Sequence, residues 1–113
     1  MSAPKFKLDN LNIIIDRNNF QQTGSNDEIM SLGNLAEKWK SFGWEVLELN
    51  GHNLEGLKNY FDREKNSEKP KVLIANTIKG KGFSFSENNN AWHHSVMTKT
   101  IYEKGLEELE NGN

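Results

Sequence analysis

Two short polar segments about sixty residues apart carry most of the side chains that could do chemistry in this chain. The first, Asn12–Gly24 (NIIIDRNNFQQTG), breaks from an apolar run into a loop with two adjacent carboxamides, Asn18 and Asn19. A side-chain amide oxygen and a backbone carbonyl freed by an irregular loop are hard, neutral oxygen donors, of the kind a divalent cation such as magnesium accepts. Asn18 lies just past the apolar run, and an irregular loop would leave the Phe20 carbonyl free. The same residues also make an ordinary turn, because asparagine tolerates left-handed backbone and bonds its own main chain.

The second segment, Thr77–His94 (TIKGKGFSFSENNNAWHH), opens with Lys79-Gly80-Lys81-Gly82 and closes in Trp92-His93-His94. Two ammonium groups on a glycine-rich backbone can approach an anion closely. The GxxxxGK[S/T] pattern of a P-loop is absent, and no helix opens directly from this turn, so phosphate binding at a helix N-terminus is not indicated. In isolation the string reads first as a solvated basic turn. An imidazole, with an unperturbed pKa of about 6.5, can move a proton in either direction near neutral pH. The alternative for His93 and His94 is a pair of surface rings. His52, in Gly-His-Asn, belongs to a turn. A histidine zinc site lacks i, i+4 spacing, and the chain has no cysteine to complete one.

With 113 residues the chain is expected to form a single domain over 1–113, with 110–113 as a disordered tail. Its 14 basic and 16 acidic side chains are mixed along the sequence and give a net charge of −2, which argues against nucleic acid or an anionic membrane as partner. The absence of cysteine excludes disulfides and thiolate catalysis. The N-terminus has no apolar signal region and no window approaches a membrane span, so a cytoplasmic protein is expected.

The elements that must hold the two segments can be read from periodicity. Leu11–Ile15 is a β-branched run suited to a strand covered on both faces of a parallel sheet. Asp16–Asp27 is polar and turn-prone. Leu32, Leu35, Ala36, Trp39 and Phe42 recur at helical spacing, Asn34 and Glu37 resemble a capping box, and Gly43 ends the helix. Trp44–Leu49 alternates as a strand. Asn53 caps a helix with Leu54, Leu57 and Phe61 on one face. The charged stretch Arg63–Lys69 closes at Pro70, Lys71–Thr77 is a third strand, and Tyr102, Leu106 and Leu109 mark a terminal helix. Trp39, Phe42 and Trp44 read as core or interface. The order β-α-β-α-β-loop-α predicts an α/β fold: three layers, a mostly parallel sheet and flanking helices. Ligands of such sheets lie beyond the strands' carboxyl ends, where both polar segments begin.

Taken at full length, both segments resemble the transketolase family of thiamine diphosphate enzymes, over about Lys7 to Leu109. Ile15–Gly24 is similar to the segment in which a transketolase asparagine, with the carbonyl two residues later, ligates the metal. Thr77-Ile78-Lys79-Gly80-Lys81-Gly82, followed by an acidic stretch and Trp92-His93, is similar to the family's T-x-K-G-x-G turn and later W-H or T-H. The resemblance implies a partial thiamine diphosphate-binding fold, with thiamine diphosphate and Mg2+ as cofactors. It implies Asn18 and Phe20 as metal ligands, and Gln22, Lys79 and His93 as cofactor contacts. It also implies His93 as the catalytic residue beside the reacting carbon, although His94 stands where relatives more often carry glycine.

No Gly-Asp-Gly precedes Asn12. The expectation is therefore a fragment or small subunit of a split transketolase-like enzyme, similar to the amino-terminal subunit of split bacterial transketolases. It would work with a chain carrying the Gly-Asp-Gly half-domain and a pyrimidine-binding domain. Sugar phosphates would be its substrates in two-carbon ketol transfer, and a homo-oligomer is compatible with the pattern. Deoxyxylulose phosphate synthases share the Lys-Gly-Lys-Gly turn and stay open as a subfamily. The alternatives in function are a catalytically silent binding or regulatory domain that keeps the fold, and a truncated product without an independent role.

Overall fold

A computed structural model describes residues 1–63 and 67–112. The charged stretch expected at Arg63–Lys69 therefore falls, at 64–66, outside the described residues, as does Asn113 of the expected tail. The chain divides into two compact units: Met1–Arg17 with Leu32–Thr77, and Asn18–Ser31 with Ile78–Asn113.

The first unit is built on three parallel strands, β1 (Asn12–Arg17), β4 (Glu45–Asn50) and β5 (Lys71–Asn76), in the order β1-β5-β4. Asn12 and Glu45 both stand opposite Lys71, and Arg17 and Asn50 both stand opposite Asn76. The three carboxyl ends are thus flush. β5 is paired on both sides, and Val72, Leu73 and Ile74 within it are fully buried. Its continuous apolar run suits a strand buried on both faces. The same burial was expected of Leu11–Ile15, but β1 lies at an edge and alternates, with Ile14 54% exposed. Three consecutive isoleucines cannot distinguish an edge from a centre, because strand order is set by which neighbour supplies the second ladder.

Helices flank this sheet. α3 (Leu35–Ser41) is shorter than its apolar spacing suggested: Leu32 lies before it, and Phe42, its C-cap, is half exposed. Asn34 Oδ1 accepts from the Glu37 amide at 3.1 Å, but Glu37 turns its carboxylate to Lys40 at 2.8 Å instead of closing the box. Gly43, at φ 89°, stops the helix and lets the chain turn back so that Trp44 packs edge-on against Trp39 at 5.0 Å. α4 (Leu54–Asp62) is capped by Asn53, whose Oδ1 accepts from Gly56 at 3.0 Å. Its Tyr60 and Leu57 pack with Leu73, Ala75, Leu47 and Leu49 into the core cluster. A very short α1 (Ser2–Lys5) precedes β1.

The second unit contains a two-rung antiparallel hairpin, β2 (Phe20–Gln21) and β3 (Gly24–Ser25), followed by α2 (Asn26–Ile29). It ends in a 3-10 turn, Asn90–His93, and α5 (Lys99–Glu110). Asp16–Asp27, expected to be irregular, is therefore ordered. Ser25 and Glu28 form the reciprocal capping box that Asn34 and Glu37 only half make. Among the described residues no helix is long and apolar enough to cross a membrane. The arrangement is α/β with a parallel sheet flanked by helices, as the sequence pattern predicts.

The contrast between centre and edge has a measurable consequence. Leu73→Ala should cost about 2–5 kcal/mol in urea unfolding, from lost burial and a residual cavity. Ile14→Ala should cost about 1 kcal/mol or less, since that side chain keeps half its surface in solvent. Equal losses would mean that β1 carries a covered face in solution.

Candidate functional site

Each polar segment starts at a strand end. Asn18 follows directly on β1 and Ile78 on Thr77, one residue past β5. These two ends are tied to each other: the Thr77 amide donates to the Arg17 carbonyl at 3.1 Å, and the Thr77 hydroxyl bonds Asp16. Glu48 Oε1 then takes both the Asn76 amide, at 2.8 Å, and the Arg17 guanidinium, at 3.2 Å. Parallel pairing and this polar clasp together fix where the two excursions leave the sheet.

Within the second unit, Asn18 Oδ1 accepts a hydrogen bond from the Phe20 amide at 2.9 Å, across Asn19 in left-handed backbone (φ 64°). This is the self-bonding turn that asparagine favours, and it settles the local shape. It does not consume the amide oxygen, which retains a second lone pair. The hairpin register decides what Phe20 does with its carbonyl. The Asn26 amide donates to the Asn19 carbonyl at 2.9 Å, which makes the Phe20–Ser25 rung the non-bonded kind. In a strand, N–H and C=O of one residue point to the same side. The Phe20 amide turns outward to Asn18, so its carbonyl is on the outer side too. Two neutral oxygens, Asn18 Oδ1 and the Phe20 carbonyl, are therefore available along one edge of the hairpin. Their chemistry fits a hard divalent cation. Among the described residues no three His, Cys, Asp or Glu side chains gather to hold a metal, so the fit is for part of a coordination shell.

His93 is the last residue of the 3-10 turn, which packs against β2. The contact is specific: Asn90 Nδ2 donates to the Gln22 carbonyl at 3.2 Å. These contacts set the turn that ends in His93 against the hairpin strand Phe20–Gln21 and the Gln22 carbonyl. His93 is exposed, with its ring edge-on to His94 at 5.1 Å. Trp92, one residue earlier, is held against Phe85 at 5.1 Å, and Phe85 stacks on Phe83 at 5.4 Å. The tryptophan is thus the anchor that presents the histidine. Asn90 was not singled out from sequence. Its Oδ1 is buried with no hydrogen-bond partner among the described residues, and nothing in a run of three asparagines says which of them will pin the hairpin.

The lysine-glycine turn folds on itself. Gly80, at φ 69°, passes so close to Ser86 that an added Cβ would lie 2.4 Å from its carbonyl oxygen. Ser86 Oγ donates to the Gly80 carbonyl at 2.9 Å, and the Asn88 amide to the Lys79 carbonyl at 2.9 Å. Glu87 Oε1 accepts from the Gly82 amide at 3.0 Å and pairs with the Lys81 ammonium at 3.3 Å. The loop thereby supplies its own anion to one of its two cations. Lys79 is in no ion pair among the described residues, and the turn's hydrogen bonds do not tie it to the hairpin.

α5 braces this region. Ser84 donates both its amide, at 2.8 Å, and its hydroxyl to the carboxylate of Glu108. Those two bonds hold the Glu108 carboxyl below the usual glutamate range, with a further contribution from Lys104.

Three sets of known proteins resemble this chain. The family described as "Transketolase, thiamine diphosphate binding domain" matches residues 1–105. An apulose-4-phosphate transketolase subunit of Phocaeicola vulgatus is 42% identical over 110 residues, 96% of this chain and 39% of that protein. The 6-deoxy-6-sulfo-D-fructose transketolase subunit of a Clostridium species is 38% identical over 111 residues, 97% of this chain and 40% of that protein. The solved transketolase of Campylobacter jejuni superposes with a TM-score of 0.86 at 29% identity, over 96% of this chain and 17% of its own. The chain thus spans about two fifths of the length of the two subunits it matches.

The lowered Glu108 ionisation sets a pH dependence. Its stabilising effect is complete above the ordinary glutamate value of 4.5 and is lost as pH falls through the lower folded value. Hydrogen exchange at the Ser84 amide, corrected for its intrinsic rate, should therefore lose protection below pH 4.5, and Glu108→Gln should lose it at neutral pH. Protection that Glu108→Gln leaves unchanged at neutral pH would contradict the bond.

Proposed function

The chain belongs to the thiamine diphosphate-binding domain family of the transketolases, and on that premise we propose that it supplies the metal- and diphosphate-side part of a thiamine diphosphate site. Asn18 Oδ1 and the Phe20 carbonyl are two ligands of the Mg2+ that accompanies the diphosphate. Gln22 and Lys79 face the cofactor, and His93 stands beside the reacting centre. The observation that supports this reading is the hairpin register, which turns the Phe20 carbonyl and the Asn18 amide oxygen to one edge of a hairpin that the turn ending in His93 also contacts.

When bound, thiamine diphosphate supplies the carbon nucleophile that cleaves and forms the bond next to a ketose carbonyl. The residues here contribute positioning and protons. Asn18 is held by its own turn before any ligand arrives, so little ordering remains to be done on binding. The Trp92–Phe85 contact fixes the backbone from which His93 extends, and an imidazole at that point can give or take the proton of a sugar hydroxyl near neutral pH.

The reaction we infer is two-carbon ketol transfer between sugar phosphates, in an assembly with residues from outside these 113. The names of the relatives support this: two are transketolase subunits named for modified sugars. A neutral pair of ligands supports the need for further residues. Magnesium parts with water reluctantly and is ordinarily held by at least one carboxylate, and none gathers with other acidic or histidine groups among the described residues. The anionic ligand would come from a Gly-Asp-Gly half-domain and the rest of the cofactor site from a pyrimidine-binding domain. The second reading, a silent docking domain, draws on the Lys81–Glu87 pair, which neutralises one cation that a phosphate would otherwise use.

Calorimetric titration of thiamine diphosphate with Mg2+, into the chain combined with a complementing transketolase subunit, separates the two. Asn18→Ala should weaken binding by about tenfold or more, a loss of at least about 1.4 kcal/mol. His93→Ala should leave binding close to unchanged and lower the transfer rate by about 10²–10⁴-fold. Unaltered affinity in the first variant and unaltered rate in the second, with a stable complex in both, would establish the docking role instead.

A further inference from the structure

The amino-terminal end of the sheet carries an arrangement that the proposed cofactor site does not use. Asn12, Lys71 and Glu45 stand in one row at the start of β1, β5 and β4 and share a face of the sheet. Lys71 is only 3% exposed. Its ammonium has no ion pair or hydrogen bond among the described residues, although a carboxylate, that of Glu45, stands in the same row. Glu45 turns to Arg63 instead, with 3.0 Å between Oε1 and Nη2. That contact is an ion pair by distance only: Arg63 Nη2 is buried and makes no hydrogen bond among the described residues. The guanidinium also lies over the Tyr60 ring, 4.4 Å from its centre. The Tyr60 hydroxyl donates to Asn12 Oδ1 at 3.3 Å, and burial pushes that phenol up, so it stays a neutral donor at physiological pH.

Asn12, Tyr60, Phe61, Arg63 and Lys71 line a cleft of about 170 Å³. Two cations and one carboxylate leave a net charge of +1 there. Arg63 Nη2 is buried without a hydrogen bond among the described residues, and an oxyanion is the group that would satisfy it while also meeting the Lys71 ammonium that lines the cleft. The carboxyl end of α4 lies close by and adds partial negative charge, which favours a weak, exchangeable site over a tight one.

We propose that this cleft binds a small phosphate anion, gripped by Lys71 and Arg63, with the Asn12 amide as a further donor. The site is at the end of the strands remote from the clasp that launches the two polar loops. It stands or falls independently of the thiamine diphosphate reading.

The test is an NMR titration of the full chain with inorganic phosphate, with a simple phosphate monoester such as glycerol phosphate, and with chloride at matched ionic strength. The expected result is a saturable shift of the Asn12 and Lys71 amides with phosphate and none with chloride. Saturation by the monoester as well would assign the site to phosphorylated metabolites, and by inorganic phosphate alone to the free ion. Lys71→Met should weaken phosphate binding by about tenfold or more. Phosphate should raise the melting midpoint of the parent and leave that of the variant where it stands without phosphate. A linear or absent shift, an equal response to chloride, or a Lys71→Met variant that binds phosphate as the parent does would each overturn the proposal.

Discussion

The double pairing of β5 is the constraint from which the rest follows. A strand with ladders on both sides and Val72, Leu73 and Ile74 fully buried has no freedom of register, because a slip of one residue would exchange its two faces. Parallel pairing then brings the carboxyl ends of β1, β4 and β5 level. Arg17, Glu48, Asn76 and Thr77 seal that end with side-chain and backbone bonds. Two polar segments far apart in the chain leave the sheet from neighbouring strand ends as a result. Apolar burial at the centre and polar bonding at the rim act on the same set of strands, one fixing their register and the other the exit of the chain.

Within the loop unit, function is prepared by satisfying backbone groups locally. Asn18 closes its own turn, Asn19 accepts the left-handed bend, and Ser25 with Glu28 caps the short helix behind the hairpin. Asn18 and the Ser25–Glu28 pair each use a side chain in place of a backbone partner that the two-rung ladder is too short to supply. The same economy appears in the lysine-glycine turn, where Glu87 accepts from the Gly82 amide and the Ser86 hydroxyl donates to the Gly80 carbonyl. The result is a loop unit whose outer edge carries few open polar groups. On the hairpin, the Asn18 amide oxygen and the Phe20 carbonyl turn to the same side.

The two ends of the sheet are built from contrasting chemistry. At the carboxyl end, charges are matched: Arg17 meets Glu48 and Asn76 completes the group. At the amino end they are not, since Glu45 is drawn to Arg63 and leaves Lys71 alone. This difference arises from which helix packs nearby. α4 delivers Arg63 and Tyr60 to the amino end, and the sheet must accommodate them.

Much of this was legible in the residues alone. Strand and helix identity, the Asn53 cap and the α/β class follow from periodicity and turn chemistry, and the length of the motif strings was enough to indicate the family. Local signals of this kind are decided by near neighbours in the chain. Strand order was not legible, since Ile13–Ile15 and Val72–Ala75 are equally apolar and only packing assigns one to the edge and the other to the centre. Nor was the Asp16–Asp27 hairpin, whose polar residues suit a loop or a ladder alike. The orientation of the Phe20 carbonyl, the role of Asn90 and the isolation of Lys71 depend on which atoms meet across tens of residues. Side-chain type states what a group can bond. Only the folded chain decides which partners have already been taken.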